Sequence, residues 1–257
     1  MSQENKQSIP GKEKLAVMAK MQRAAIVYSL LSVCTRMPYV ICDPETFDDQ
    51  ILLYLDMDKA KEMATELKEK NEPVQILKID KNQLLVFFSN LYTMGVNSVI
   101  IDDGSQKTRF QLEEIVHRVD EQEIPEGQFR IENPQFHLTA LYLMQKMVHA
   151  SEEGAQEEIN ELREEAMAHF KKGRYIVAFE EKKGAPLLTA KNGDQYQPIF
   201  TDLLEFQKFN REKKFKTAVV EASKVVEIIP KNVKGVAVNP FGVNLQLQIN
   251  RKQKEEQ

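Results

Sequence analysis

Hydrophobic and polar positions run through a similar order twice along this chain. Residues 38–104 and 174–242 each place short β-branched runs between segments with the apolar spacing of amphipathic helices. The two series also close alike, on a β-branched strand and a polar turn, at 98–104 and at 235–242. Strands that alternate with helices are typical of α/β folds. The pattern therefore predicts an α/β (α+β) protein of two tandem similar domains, each a small mixed sheet with flanking helices, preceded by an N-terminal helix.

Turn and breaker residues divide the chain into four predicted segments. Residues 1–11 are polar and end in a Pro-Gly pair, which predicts a disordered lead. The first repeat, with its N-terminal helix, is predicted over 12–133 and the second over 134–250, and each is long enough for a domain. Residues 251–257 are a charged tail.

The segment after the lead is interpreted as an amphipathic helix that runs to about Cys34, because apolar residues recur there at helical spacing. Within it, an apolar run behind several lysines loosely resembles a bacterial lipoprotein signal. Val33 stands where such signals carry a small residue, so the helix is preferred, and a weak export signal at 24–34 is the alternative left open. No run approaches the roughly 18 apolar residues that a membrane span needs.

Two features mark corresponding points in the two series. Residues 39–42 are predicted as the first strand of the first series and are matched with 175–179 in the second. Each series then reaches an Asp that follows an apolar strand, Asp56 in the first and Asp202 in the second. An Asp at this point is a good N-cap, so a helix is predicted to begin after each one.

Composition narrows the functional classes. Hydrophobic residues make up 42% of the chain, enough for each half to bury a core. The net charge is −4, and the acidic and basic residues are interspersed, which argues against a nucleic-acid partner. The two cysteines, Cys34 and Cys42, have the spacing of neither a redox CxxC pair nor a zinc site. A reduced, cytoplasmic setting is the simple interpretation.

The sequence predicts no metal site, no cofactor and no catalytic residue. No nucleophile motif and no complete phosphate-binding loop is present. The four histidines share no metal-ligand spacing. They are His117, His137, His149 and His169.

Several motifs of the second series resemble the SseB protein N-terminal domain, a family whose founding member is associated with enhanced serine sensitivity in bacteria. The residues that carry the resemblance, over about 135–250, are Gly173-Arg174-Tyr175-Ile176-Val177, Gly184-Ala185-Pro186-Leu187, Ile199-Phe200-Thr201-Asp202 and Gly235-Val236-Ala237-Val238-Asn239-Pro240. The first series is a degenerate version, in which Leu53-Tyr54-Leu55-Asp56 stands in for the Phe-Thr-Asp junction and Asp102-Asp103 for Asn-Pro. The resemblance implies a bacterial protein and brings no catalytic mechanism with it.

The leading hypothesis is a non-enzymatic module that binds a protein partner or a small ligand. Its predicted surface is the strand-end rim of the second repeat, where Thr201 and Asp202 would offer hydrogen bonds and Phe241 an aromatic anchor. The surface consists of Thr201, Asp202, Asn239, Pro240 and Phe241.

Two alternatives stay open beside it. The first is an enzyme acting on an amino-acid-related metabolite, whose acidic groups would be Asp102 and Asp103 with Glu45 or Asp48. The simpler interpretation of Asp-Asp-Gly is a turn. The second alternative concerns assembly: the two repeats would pair within the chain as a pseudo-dimer.

Overall fold

A computed structural model describes residues 10–118, 123–124, 130–181 and 184–249. These residues form two compact units. Unit 1 holds the described residues up to Ser32, Pro38–Leu91 and Val96–Arg118, and unit 2 holds Val33–Met37, Tyr92–Gly95 and the described residues beyond Arg118. Each unit contains one mixed sheet with flanking helices, so the predicted fold class is confirmed.

Unit 1 is built on a six-stranded sheet with the order β4-β1-β3-β5-β6, and β2 pairs with β3 beside this path. Among the strands that the structure describes in this unit, only β3 and β5 run parallel. The unit's elements are α1 (Pro10–Arg23), β1 (Ile26–Ser32), β2 (Ile41–Cys42), β3 (Asp49–Tyr54), α2 (Met57–Glu69), β4 (Val74–Asp80), α3 (Leu84–Thr93), β5 (Ser98–Asp102), β6 (Lys107–Gln111) and α4 (Leu112–Ile115).

Unit 2 repeats this topology strand for strand. Its order is β10-β7-β9-β11-β12, with β8 on β9, and only β9 and β11 run parallel. The elements are α5 (Pro134–Lys146), α6 (Ala155–Lys172), β7 (Arg174–Phe179), β8 (Leu188–Thr189), β9 (Gln195–Phe200), α7 (Leu203–Phe209), β10 (Lys216–Glu221), α8 (Val225–Ile228), β11 (Gly235–Val238) and β12 (Leu245–Gln248).

The N-terminal helix is shorter than predicted. It ends at Arg23, and the residues that were interpreted as its second half form β1, which pairs with β3 and β4. The prediction was wrong because β1 has buried residues on both of its faces, including Val27 and Leu30. A strand with apolar residues on both faces also places apolar residues at helical spacing. Periodicity alone therefore does not distinguish such a strand from a helix.

The same error displaced the first predicted strand. Residues 39–42 contribute only the two-residue β2, which lies on β3. In the topology β2 corresponds to β8, and β1 corresponds to β7. The repeat therefore begins one element earlier than the sequence pattern suggested.

Each unit buries an apolar core against its sheet. In unit 1 the ring of Tyr54 lies in a cluster with Leu30, Ala60 and Leu67. In unit 2 Phe200 occupies the equivalent place, in a cluster with Phe206. None of the helices in the described part of the chain combines the length and the apolar character that crossing a lipid bilayer requires.

Candidate functional site

The predicted residues of the second repeat meet where β9 and β11 end. Thr201 follows β9 and Asn239 follows β11, and the carboxyl ends of neighbouring parallel strands share one edge of a sheet. The Asn239 Oδ1 accepts from the Thr201 amide at 3.0 Å, and its Nδ2 donates to the Thr201 hydroxyl at 2.7 Å. The two side chains therefore form a closed pair, and both are fully buried.

Asp202 is also committed to internal contacts. It caps α7, because one carboxylate oxygen accepts from the Glu205 amide at 2.9 Å, as its position before the helix predicts. The other oxygen accepts from the Thr201 hydroxyl at 2.7 Å. Since Asp202 is only 1% exposed, its hydrogen bonds are used inside unit 2.

Of the five predicted residues, only Pro240 and Phe241 reach the surface. Pro240 is half-buried, and the Phe241 side chain is 48% exposed. Asn239 has a φ of +49°, and its carbonyl accepts from the amides of Gly242 and Asn244 at 2.8 and 2.9 Å. This tight turn reverses the chain and carries the Phe241 ring outward.

His137, on α5, lies beside this pair and was not predicted as a site residue. Its Nδ1 is 3.2 Å from the Thr93 carbonyl, 3.4 Å from the Thr201 hydroxyl oxygen and 3.8 Å from an Asp202 oxygen. A carbonyl only accepts, so Nδ1 carries the proton of the neutral ring. Nε2 is then a buried acceptor without a partner among the described residues.

Burial keeps His137 neutral. The side chain is fully buried, and this desolvation lowers the pKa of His137 below its ordinary value. The nearby carboxylates of Glu205 and Asp202 act in the opposite direction. The sequence offered no signal for this residue, because a test of metal-ligand spacing does not detect a histidine that hydrogen-bonds in a core.

Glu205 is the second buried group that sequence reasoning did not nominate as a site residue. It is 1% exposed, and one of its oxygens is hydrogen-bonded by the ammonium of Lys208. The other oxygen has no partner among the described residues, and it lies against Gly242. A Cβ at position 242 would stand 2.5 Å from that oxygen, so the buried carboxylate requires glycine here.

The chemistry of this cluster is structural. Thr201, His137 and Asp202 include the groups of a hydroxyl nucleophile, a base and a carboxylate, but the Thr201 hydroxyl and the Asp202 carboxylate already hydrogen-bond to each other, to Asn239 and to the Glu205 amide. The buried arrangement instead fixes the turn that carries Phe241.

Three of the four acidic residues nominated for an enzyme have separate partners in unit 1. Asp102 accepts from the Gly104 amide at 2.9 Å, as expected of a turn. Asp103 accepts from the Lys20 ammonium at 2.5 Å, and Asp48 accepts from the Gln111 side chain at 3.0 Å. The fourth residue, Glu45, is exposed.

The candidate residues also do not form a metal site. Across the described ranges, no three His, Cys, Asp or Glu side chains lie close enough together to hold a metal ion.

Comparisons with known proteins separate the two halves of the chain. Two solved structures are similar to it: Tic22 from Plasmodium falciparum, at 14% identity over 86% of this chain and 90% of that one, and Anabaena Tic22 (protein transport), at 12% identity over 85% and 92%. Both have a TM-score of 0.22, which is too low to inform function. No curated protein matches the chain. Residues 147–251 match the SseB protein N-terminal domain, so the resemblance predicted for the second half is confirmed, and the first half lies outside the match.

Proposed function

We propose that the protein is a non-enzymatic binding protein of the bacterial cytoplasm whose second unit recognises a protein partner through Phe241. The proposal rests on the difference in solvent exposure between neighbouring residues of one turn. The Phe241 side chain is 48% exposed, whereas Asn239 before it and Gly242 after it are buried. An exposed aromatic ring on a fixed backbone is the kind of anchor that dominates protein interfaces.

A cluster of tilted aromatic rings supports the exposed ring from below. The Phe241 ring lies 5.9 Å from that of Phe209, and the Phe209 ring lies 5.2 Å from Phe200 and 5.4 Å from Phe215. Phe200 is fully buried, so this aromatic cluster extends from the core to the surface. Such a ring has little freedom left to lose when a partner binds.

The buried polar pair contributes to the same preorganisation. Asn239 holds a left-handed backbone through two side-chain hydrogen bonds to Thr201. The predicted residues thus take two roles in this proposal. Thr201, Asp202 and Asn239 position the turn, and Pro240 and Phe241 face the partner.

Domain boundaries and compartment belong to the same proposal. The module is residues 134–250, and 12–133 is a degenerate repeat whose topology is the same. The similarity of 147–251 to the SseB protein N-terminal domain supports a bacterial module. The cytoplasmic setting rests on the two cysteines and their spacing.

A site-specific crosslink tests the proposal. A photoreactive phenylalanine analogue is placed at Phe241 in the native host, with Phe47 as the matched control, because it is also an exposed Phe, at 76%. We expect one reproducible protein adduct from position 241 and none from position 47. With the partner identified, Phe241→Ala should weaken binding by roughly 30-fold, as loss of an aromatic hot spot does.

The matched variant Phe47→Ala should leave the affinity unchanged. Equal adducts from both positions, or an unchanged affinity of folded Phe241→Ala, would overturn the proposed surface. Circular dichroism and the urea midpoint establish that each variant is folded.

A further inference from the structure

Unit 1 has an open cleft of about 390 Å³ at the carboxyl ends of its parallel strands, β3 and β5. Its walls are the strand ends, one face of α2 and the turn between β5 and β6. In open α/β sheets, this edge is where ligands bind.

The lining of the cleft includes a residue with a buried hydroxyl. Tyr54 lines it and is 1% exposed, and its hydroxyl has no hydrogen-bond partner among the described residues. Burial, together with the charges of Asp102 and Glu66, raises the pKa of Tyr54. These two carboxylates line the same cleft as the hydroxyl. The phenol stays neutral, and its oxygen keeps lone pairs available to a donor.

The charge that remains around this hydroxyl is negative. Asp102 uses one oxygen for the Gly104 amide, and Glu66 makes no side-chain ion pair in the described part of the chain. Two cations line the cleft: Lys59 is already paired with Glu62 at 2.7 Å, and Lys107 lies opposite Asp102 in the β5–β6 pair without an ion pair among the described side chains. Asp102, Glu66 and the neutral phenol oxygen are therefore acceptors of this lining that no lysine ammonium occupies.

We propose that this cleft binds a small alkylammonium compound, whose ammonium donates to Asp102, to Glu66 and to the Tyr54 hydroxyl oxygen. A primary ammonium has three N–H donors, which match these three acceptors. The side chain of Met63 lines the same cleft and offers an apolar contact to the alkyl part. A metal ion fits less well, since the described residues contain no group of three metal-ligating side chains.

The equivalent strand end of unit 2 carries different side chains. By strand register, Phe200 stands in place of Tyr54, and Asn239 in place of Asp102. Neither the phenol nor the carboxylate is present there, and Asn239 is fully used by Thr201. The proposed site is therefore particular to unit 1 and independent of the Phe241 surface.

Binding is tested on the full chain by NMR titration with n-butylammonium. Butan-1-ol, of the same length but uncharged, and tetramethylammonium, charged but without N–H groups, are the matched probes. We expect saturable shifts of the Tyr54, Asp102 and Glu66 amides with butylammonium and not with either control probe. Equal shifts with butylammonium and tetramethylammonium would overturn the ammonium hydrogen bonds.

Variants assign the three contacts. Asp102→Asn should weaken butylammonium binding by at least about tenfold and Tyr54→Phe by about threefold, since bonds to a charged acceptor are the stronger ones. Glu66 lies on the exposed face of α2. Glu66→Gln therefore still tests the site if a variant of a buried residue does not fold. Asp194→Asn in unit 2 is the control. Unchanged affinity in both Glu66→Gln and a folded Asp102→Asn contradicts the site.

Discussion

The carboxyl ends of the parallel strands are the same place in both units and have opposite chemistry. In unit 2 the side chains of Thr201 and Asn239 hydrogen-bond each other and are fully buried. In unit 1 the Tyr54 hydroxyl has no partner among the described residues, and Asp102 lines an open cleft. One topology thus carries a closed strand end in one copy and an open one in the other.

The difference follows from a few substitutions at equivalent positions. The strand pairs place four sets of residues in correspondence: Tyr54 with Phe200, Leu55 with Thr201, Asp56 with Asp202, and Asp102 with Asn239. A hydroxyl and an amide satisfy each other, whereas a leucine and a carboxylate do not. The Asp102 carboxylate instead accepts from the Gly104 amide at 2.9 Å, because burying a charge without a partner is costly. Polar complementarity, and not topology, decides whether this edge is sealed.

The largest expected effect is from Asn239→Ala in unit 2. This change leaves the Thr201 amide without its buried acceptor and puts alanine in a left-handed conformation. Both effects are destabilising, and together they cost about 3 kcal/mol. Urea unfolding should show this loss, whereas Asp102→Ala in unit 1 should cost about 1 kcal/mol. Equal losses of unfolding free energy in the two variants would contradict the distinction between a closed and an open strand end.

We expect acid to reduce the contribution of Asp103 to the stability of unit 1. Asp103 lies at the strand end, where unit 2 has Pro240. Hydrogen bonds from Lys20 and Ser105 lower the pKa of Asp103. A carboxyl with a depressed folded pKa stabilises the protein above its unfolded value of about 3.9 and loses that stabilisation as the pH falls through the folded value.

Asp103→Asn isolates this charge, since the amide oxygen can still accept from the Ser105 and Gln106 amides. We expect the variant to be about 1 kcal/mol less stable at pH 7, with the deficit shrinking toward pH 3. The measurement is the free energy of unfolding in urea across this pH range. A deficit that is independent of pH would show that the charge contributes nothing.

Tyr54→Phe should have the smallest effect and the opposite sign. The change removes a buried hydroxyl without a partner, and the ring keeps its place in the core with Leu30 and Leu67. The free energy of unfolding should stay the same or rise by up to about 1 kcal/mol. A loss above about 1 kcal/mol would reveal a hydrogen bond to the hydroxyl, for instance from an ordered water.

Local signals predicted the correspondence of the strand ends correctly. The sequence pattern matched Tyr54-Leu55-Asp56 with Phe200-Thr201-Asp202, and the register places them at equivalent points. Capping chemistry works at this range because an N-cap and the amides it accepts are neighbours in the chain. Asp56 and Asp202 both cap helices as predicted.

Longer-range features were less accessible. The strand β1 was predicted as helix, because its pairing with β3 and β4 and the packing of Leu30 against Ala60 and Leu67 of α2 involve elements more than 15 residues away in sequence. His137 and Glu205 were not nominated, because their importance comes from burial beside Thr201 and Gly242. Neither residue carries a local motif for such a role.

The sequence by itself determined the repeated order of elements, the helix caps and which residues occupy the strand ends, because these depend on neighbours in the chain. Only the tertiary structure decided that Thr201, Asp202 and Asn239 are buried, and that Phe241 is the most exposed of the five predicted surface residues. It also decided that the edge with Tyr54 and Asp102 is open. Exposure and hydrogen-bond satisfaction are set by partners that come together only when the sheet forms, so no local pattern contains them.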